Sequence, residues 1–192
     1  MKTRECQVLL SVALEKTRVT ADTKTVLGMT GTEEREMARA YLADGMTFFS
    51  SHDPVNALAS YYYAFGWLHF GNCNGTLVTD MQTPPCPFTG IPERLPMDAL
   101  PKLSEKVSRY ERLLNTARSS VSCAPDPSTH QYNLAGRVLQ VAESYAIRGR
   151  WLVQENRPED ALAAFSYGHG WLDAGVRAGL FCITQEREIF TV

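Results

Sequence analysis

Apolar residues recur along this chain at helical spacing. The clearest run is Leu103, Val107, Tyr110, Leu114, Ala117 and Val121, a seam with steps of four and three that predicts one amphipathic helix. The stretch CAPDPSTHQ breaks the pattern, and Ser128 with Gln131 has the spacing of a capping box for a second helix. Val138, Val141, Tyr145, Gly149 and Leu152 line one face of that helix, which runs to about Asn156. Pro158 suits the first position of a third helix, and Glu159 and Asp160 place negative charge at its positive end. The earlier part of the chain repeats the plan, with a helix over residues 3–18, a Thr- and Gly-rich break, Thr32 capping EEREMARAYLADGMTFF, and Asp53 capping Pro54. No strand is predicted, because TRVTADTKTV is polar and does not alternate.

The two plans are copies. Residues 54–75, PVNALASYYYAFGWLHFGNCNG, align with residues 158–179, PEDALAAFSYGHGWLDAGVRAG, at a constant offset of 104. Upstream, the same offset brings Tyr41 to Tyr145, Gly45 to Gly149, Leu9 and Leu10 to Leu113 and Leu114, and Ala13 to Ala117. A whole unit has been duplicated. Between the copies, residues 79–101 carry six prolines, too many for a helix to continue, and form a connector in which Cys86 and Phe88 are placed to pack on a neighbour. The fold predicted is all-α: two tandem three-helix units (residues 1–78 and 102–183), a Pro-rich connector and a tail over residues 184–192, with the units docked as a pseudo-two-fold pair. A tetratricopeptide array would need a period of about 34 residues, which this chain lacks.

The third helix of each unit sets the docking. Ala57, Leu58, Tyr61, Tyr62, Phe65, Trp67, Leu68 and Phe70 make it apolar nearly all round, as expected of the most buried helix. It nevertheless holds Gly66, Gly71 and Gly75 in the first copy and Gly168, Gly170, Gly175 and Gly179 in the second. Each interior Gly costs roughly 0.8–1 kcal/mol relative to Ala. The expectation is that another backbone or a large ring approaches closer there than a Cβ would permit. For Gly75 and Gly179, near the helix end, a cap is the competing reading.

The pattern ALAAFSYGHGWLDAGVRAGLF, with its weaker first copy, resembles the signature of a small archaeal family catalogued as domain of unknown function 357. The resemblance covers both repeats. It departs in the first copy at Phe65, His69 and Cys73, where the second has His169, Asp173 and Arg177. It implies a compact three-helix bundle, here present twice, and implies no activity.

Composition narrows the function classes little further. With 19 basic and 21 acidic residues the net charge is −2, which marks no polyanion binder. Five cysteines without a CxxC pair fit neither a zinc site nor a disulfide scaffold, so a reducing cytoplasm is expected. MKTRECQVLL lacks the apolar core of a signal peptide, which predicts a chain that keeps its first residues. The uncharged run between Asp53 and Asp80 contains Ser60, three tyrosines, His69, Asn72 and Asn74, and its copy carries Asp173 and Arg177, so it is read as buried in protein and not in a membrane.

Candidate chemistry centres on the third helices. His169, Asp173 and Arg177 share a helix face, as half of a metal or acid/base site or, more plainly, as an Asp173 to Arg177 ion pair with His169 hydrogen-bonded nearby. Tyr63, Trp67, Tyr167 and Trp171 complete the set of candidate binding residues. Tyr61, Tyr62 and Tyr63 could stack on bases, but without interleaved cations they read as core. Of the basic residues Arg137, Arg148, Arg150 and Arg157, the last three form a small positive strip, read as solvated surface. No Arg is followed closely by His, as in helical ribonucleases of the HEPN type, and no phosphate loop, nucleophile elbow or HExxH occurs. The reading is a non-enzymatic helical scaffold or interaction module of an archaeal cytoplasm, with a protein partner or self-association, no cofactor and no metal. Nucleic-acid association is the runner-up, ahead of an enzyme centred on His169 and Asp173.

Overall fold

The structure, a computed structural model, describes residues 3–79 and 94–191. The first copy contains α1 (Thr3–Glu15), β1 (Thr17–Val19), α2 (Val26–Ser50), α3 (Pro54–Asn74) and β2 (Leu77–Thr79). The second contains α4 (Leu100–Ser119), β3 (Val121–Cys123), α5 (His130–Gln154), α6 (Pro158–Arg177) and β4 (Phe181–Ile183). Short 3-10 turns, Met97–Ala99 and Arg187–Ile189, precede α4 and follow β4. Most of the cores of α3 and α6 are buried, and these two helices pack on each other; α2 flanks α3 and α5 flanks α6. Among the described residues, no helix is long and apolar enough to cross a membrane.

Four local expectations are corrected. The strands are real, three residues each, and pair antiparallel as β1 with β2 and β3 with β4 in the same register in both copies, Thr17 opposite Thr79 and Val121 opposite Ile183. So short a strand shows no period-2 pattern; it forms because the chain reverses after the third helix and returns beside the end of the first. For the same reason α1 ends at Glu15, short of residue 18, and Val121 lies in β3 instead of extending the seam of α4. The second helices are capped by Thr25 and Thr129, whose hydroxyls accept from Gly28 N and Tyr132 N. Thr32 lies inside α2 and donates to the Gly28 carbonyl, and Ser128 bonds Asp126. Thr25 and Thr129 obey the 104 offset, so the caps repeat with the rest of the unit. Asp53 caps α3 as expected by accepting from Asn56 N, and Pro158 opens α6.

Gly75 and Gly179 are not close-approach sites. They have φ of +79° and +77°, a Cβ there would meet nothing within 4 Å, and each turns the chain out of its third helix into a strand. Gly66 and Gly170 behave as expected. A Cβ on Gly66 would lie 2.6 Å from the Tyr167 carbonyl oxygen and 3.0 Å from Gly170 Cα, and a Cβ on Gly170 would collide with the Tyr63 carbonyl. Gly66 and Gly170 are repeat equivalents, as are Tyr63 and Tyr167, so each contact returns with its partners exchanged. Such reciprocity is the mark of an isologous, two-fold interface, here made inside one chain.

Of the connector, residues 80–93 lie outside the described residues, and Cys86 and Phe88 with them. Its final part is held to the second unit, where Leu95 N donates to Glu159 Oε1 in the first turn of α6 at 3.0 Å. Just beyond it, Lys102 in the first turn of α4 lies with its Nζ 2.6 Å from Oδ2 of Asp53, the cap of α3, and so ties the two units together.

Candidate functional site

The crossing of α3 and α6 carries a buried polar cluster built twice on one geometry. Gly66 and Gly170 let the two backbones touch, and the tyrosine one turn before each glycine reaches the partner helix. Tyr63 donates to the carboxylate of Asp173 on α6. At the equivalent place Tyr167 OH bonds His69 Nδ1 on α3 at 2.8 Å. His69 and Asp173 are themselves repeat equivalents, so the duplication has put an imidazole and a carboxylate at matching ends of the same bond. Tyr41 lies against Tyr63 with ring centroids 4.3 Å apart, and Tyr145 against Tyr167 at 4.4 Å.

Asp173 is fully buried and saturated with donors. Besides Tyr63 it accepts from the backbone N–H of Thr191, 3.1 Å from Oδ1, and from the Thr191 hydroxyl. Burial pushes its carboxyl up to about 6, against the opposing pull of Tyr63, Thr191 and Arg177. Tyr63 is held well above the ordinary tyrosine value by its own burial and then by Asp173. His169 lies edge-on to Tyr63, with centroids 5.6 Å apart. Burial lowers His169 to about 4, only partly opposed by a hydrogen bond to the Ile189 backbone, so the ring is neutral at physiological pH. Among the described residues its Nε2 has no hydrogen-bond partner.

The structure therefore brings together Tyr63, Tyr167, His169 and Asp173, with Trp67 and Trp171 stacked beside the tyrosines at 6.5 and 6.4 Å. Trp171 also meets Phe70 of the other copy edge-on. Arg177 is elsewhere. The anticipated ion pair between Asp173 and Arg177 is not formed: Asp173 faces the interior, while Arg177, at the exposed end of α6, reaches Glu33 on α2 at 2.9 Å and so bridges the copies. Among the described residues no group of three or more His, Cys, Asp or Glu is placed to hold a metal ion.

Two participants escape a reading of the sequence. Thr191 sits in the segment expected to be a tail, yet Phe190 is buried and Thr191 closes over Asp173. Glu34, in the charged run 33–36, is completely buried beneath α3 and accepts from the Thr76 hydroxyl and from Asn74. Burial pushes Glu34 up to about 7. The repeat held the clue, since the residue equivalent to Glu34 is Val138.

In comparisons with known proteins, the model of a family described as "Protein of unknown function (DUF357)" matches twice, over residues 7–77 and 109–181. The chain belongs to the DUF357 family. Each match spans one three-helix unit, and together they cover about three quarters of the chain. No curated protein and no solved structure matched it. In this tandem DUF357 protein the candidate site is the seam between the two family units: Tyr63 and His69 come from the first, Tyr167, His169 and Asp173 from the second.

Proposed function

We propose that this protein is a non-enzymatic helical scaffold or interaction module, working in the cytoplasm, whose buried tyrosine, histidine and carboxylate groups serve to fuse two family units into one rigid body. The observation that carries this reading is the reciprocal pair of bonds across the α3 and α6 crossing, Tyr63 to Asp173 and Tyr167 to His69, at a place where the backbones touch. Buried polar pairs of this kind fix one docking geometry against alternatives, because any slip leaves a polar group unsatisfied in the interior. An enzyme centred on His169 and Asp173 is less well supported, because both side chains lie inside and the donors of Tyr63 and Thr191 already occupy the Asp173 carboxylate. The cytoplasmic setting is supported by Cys6, Cys73, Cys123 and Cys182, all present as free thiols.

Native mass spectrometry of protein isolated from its own host, before and after denaturation, tests the reading. A mass equal to that of the bare chain, or a multiple of it, is expected. A metal, nucleotide or other small molecule that leaves on unfolding would overturn it.

A further inference from the structure

The duplication marks which features the fold does not need. On α6, His169 and Asp173 stand four residues apart and so on one face of the helix, and their equivalents on α3 are Phe65 and His69. The first copy packs without this imidazole and carboxylate pair. In the second copy both groups grip the backbone of one short segment. A hydrogen bond to the Ile189 backbone raises the His169 imidazole, which identifies the acceptor as a carbonyl. Asp173 accepts from the Thr191 N–H, 3.1 Å from Oδ1. Between them Phe190 is extended, with φ −103° and ψ 144°. Across one extended residue, the preceding carbonyl and the following N–H project to the same side. A donor and an acceptor one helical turn apart are thus matched to the backbone of an extended peptide, whatever its side chains.

Two side chains add selection. Phe190 is buried in the core, and the Thr191 hydroxyl donates to Asp173 and lies 3.0 Å from the Tyr63 hydroxyl, with Tyr41 in bonding reach of it. Tyr41 and Tyr63 belong to the first copy, His169 and Asp173 to the second, so this seat exists only where the two copies are docked. The seated residues hang on a slender tether. It starts at Thr184, whose N–H donates to the Ser120 carbonyl at 2.8 Å. Residues 184–188 are exposed throughout, and Glu186 takes the left-handed conformation at φ +53°, which a residue other than glycine rarely adopts. The 3-10 turn that follows is closed by bonds of its own, Ile189 N to the Glu186 carbonyl and Phe190 N to the Arg187 carbonyl. Nor does the segment fill the seat completely, since among the described residues the buried His169 Nε2 has no hydrogen-bond partner.

We propose that this seat is a peptide-binding site, that it takes an extended protein segment presenting an aromatic residue followed by Thr or Ser, and that residues 189–191 occupy it in cis as a displaceable strap. The proposal rests on the interaction-module reading and names the chemistry of the partner. Backbone capture by His169 and Asp173 supplies affinity, while the space filled by Phe190 and the bonds to the Thr191 hydroxyl supply specificity, the usual division when extended peptides are read. A segment tethered beside its own site competes at high effective concentration, so a free partner binds weakly until the strap is weakened.

Fluorescence anisotropy of a labelled peptide REIFTV, the sequence of residues 187–192, titrated with the full chain tests this. With the strap weakened by Phe190→Ala and Thr191→Val, the chain should bind the peptide at least about tenfold more tightly than wild type does. Replacing the aromatic residue of the peptide by alanine should abolish binding, and adding Asp173→Asn to the strap variant should weaken it about tenfold or more. Circular dichroism confirms that both variants fold. No binding by the folded strap variant, equal binding by wild type and strap variant, or equal binding of the alanine peptide would each overturn the proposal. Hydrogen exchange of the wild-type chain needs no variant: the Thr191 amide should exchange at least about tenfold faster than amides in the middle of α6, because the strap opens while the body stays folded. A Thr191 amide protected as long as those of α6 would also overturn it. None of these readouts involves a bound small molecule, so the scaffold reading stands or falls separately on native mass spectrometry.

Discussion

Glu34 is a buried carboxyl whose replacement the protein itself supplies. In the first copy Glu34 lies against Gly71 and accepts from the Thr76 hydroxyl, a polar pair; in the second, Val138 lies against the equivalent Gly175, and the equivalents of Glu34 and Thr76 are both apolar and buried, Val138 at 0 % and Leu180 at 5 % exposure. The double variant Glu34→Val with Thr76→Leu transplants the apolar pair. The second change matters because the Thr76 hydroxyl, which donates to Glu34, would otherwise lose its main acceptor. In the folded protein Glu34 titrates at about 7, against 4.5 when solvated. Below pH 4 it is protonated in both states and contributes nothing to the pH dependence. As pH rises through the window from 4.5 to 7 the unfolded chain releases the proton and the folded chain keeps it, so stability falls, then levels off. At about 1.4 kcal/mol per pH unit the loss is on the order of 3 kcal/mol. The transplant removes it. Urea unfolding of wild type and variant at pH 4 and pH 8, followed by tryptophan fluorescence, measures this, and all other titrating groups cancel in the difference. The variant should gain about 3 kcal/mol relative to wild type on going from pH 4 to pH 8, with an unchanged denaturant slope. A wild-type to variant gap equal at the two pH values would refute the assignment of a buried, proton-holding carboxyl.

Further outcomes follow from the same geometry. His169, lowered to about 4, contributes stability that is present above pH 6.5 and is lost as pH falls toward 4, on the order of 3 kcal/mol; His169→Phe, which installs the residue of the other copy at Phe65, should remove that part of the acid sensitivity in urea titrations. Gly66→Ala puts a methyl against the Tyr167 backbone and should cost about 3 kcal/mol or more, whereas Gly136→Ala, in α5 with nothing within 4 Å of the new carbon, should gain about 0.8–1 kcal/mol; thermal unfolding of the pair compares them directly. Tyr63→Phe withdraws one donor from the buried Asp173 and should cost about 1–3 kcal/mol, while raising the Asp173 carboxyl further, which NMR of that carboxyl would read.

The sequence by itself determined the architecture. Helical periodicity and the 104 offset established two three-helix units, and the apolar, glycine-bearing third helices marked where those units meet, because a helix buried on all sides must show it in composition. Gly66 and Gly170 were legible for the same reason: a glycine that costs helix stability twice, at equivalent positions, must be repaid by contact. What tertiary structure alone decided are pairings between residues far apart in the chain. The paired three-residue strands exist because the ends of the first and third helices converge, and local pattern cannot register that. Asp173 finds Tyr63 and Thr191 instead of Arg177, although Arg177 is nearer in sequence, because the side of α6 that bears Asp173 faces the other copy, while Arg177 extends from the helix end to Glu33. Glu34 reads as one more charge in a solvated run, and only the packing of α2 under α3 turns it inward. Local sequence encodes the propensity and the face of each helix; which polar groups meet on those faces is set by how the helices dock.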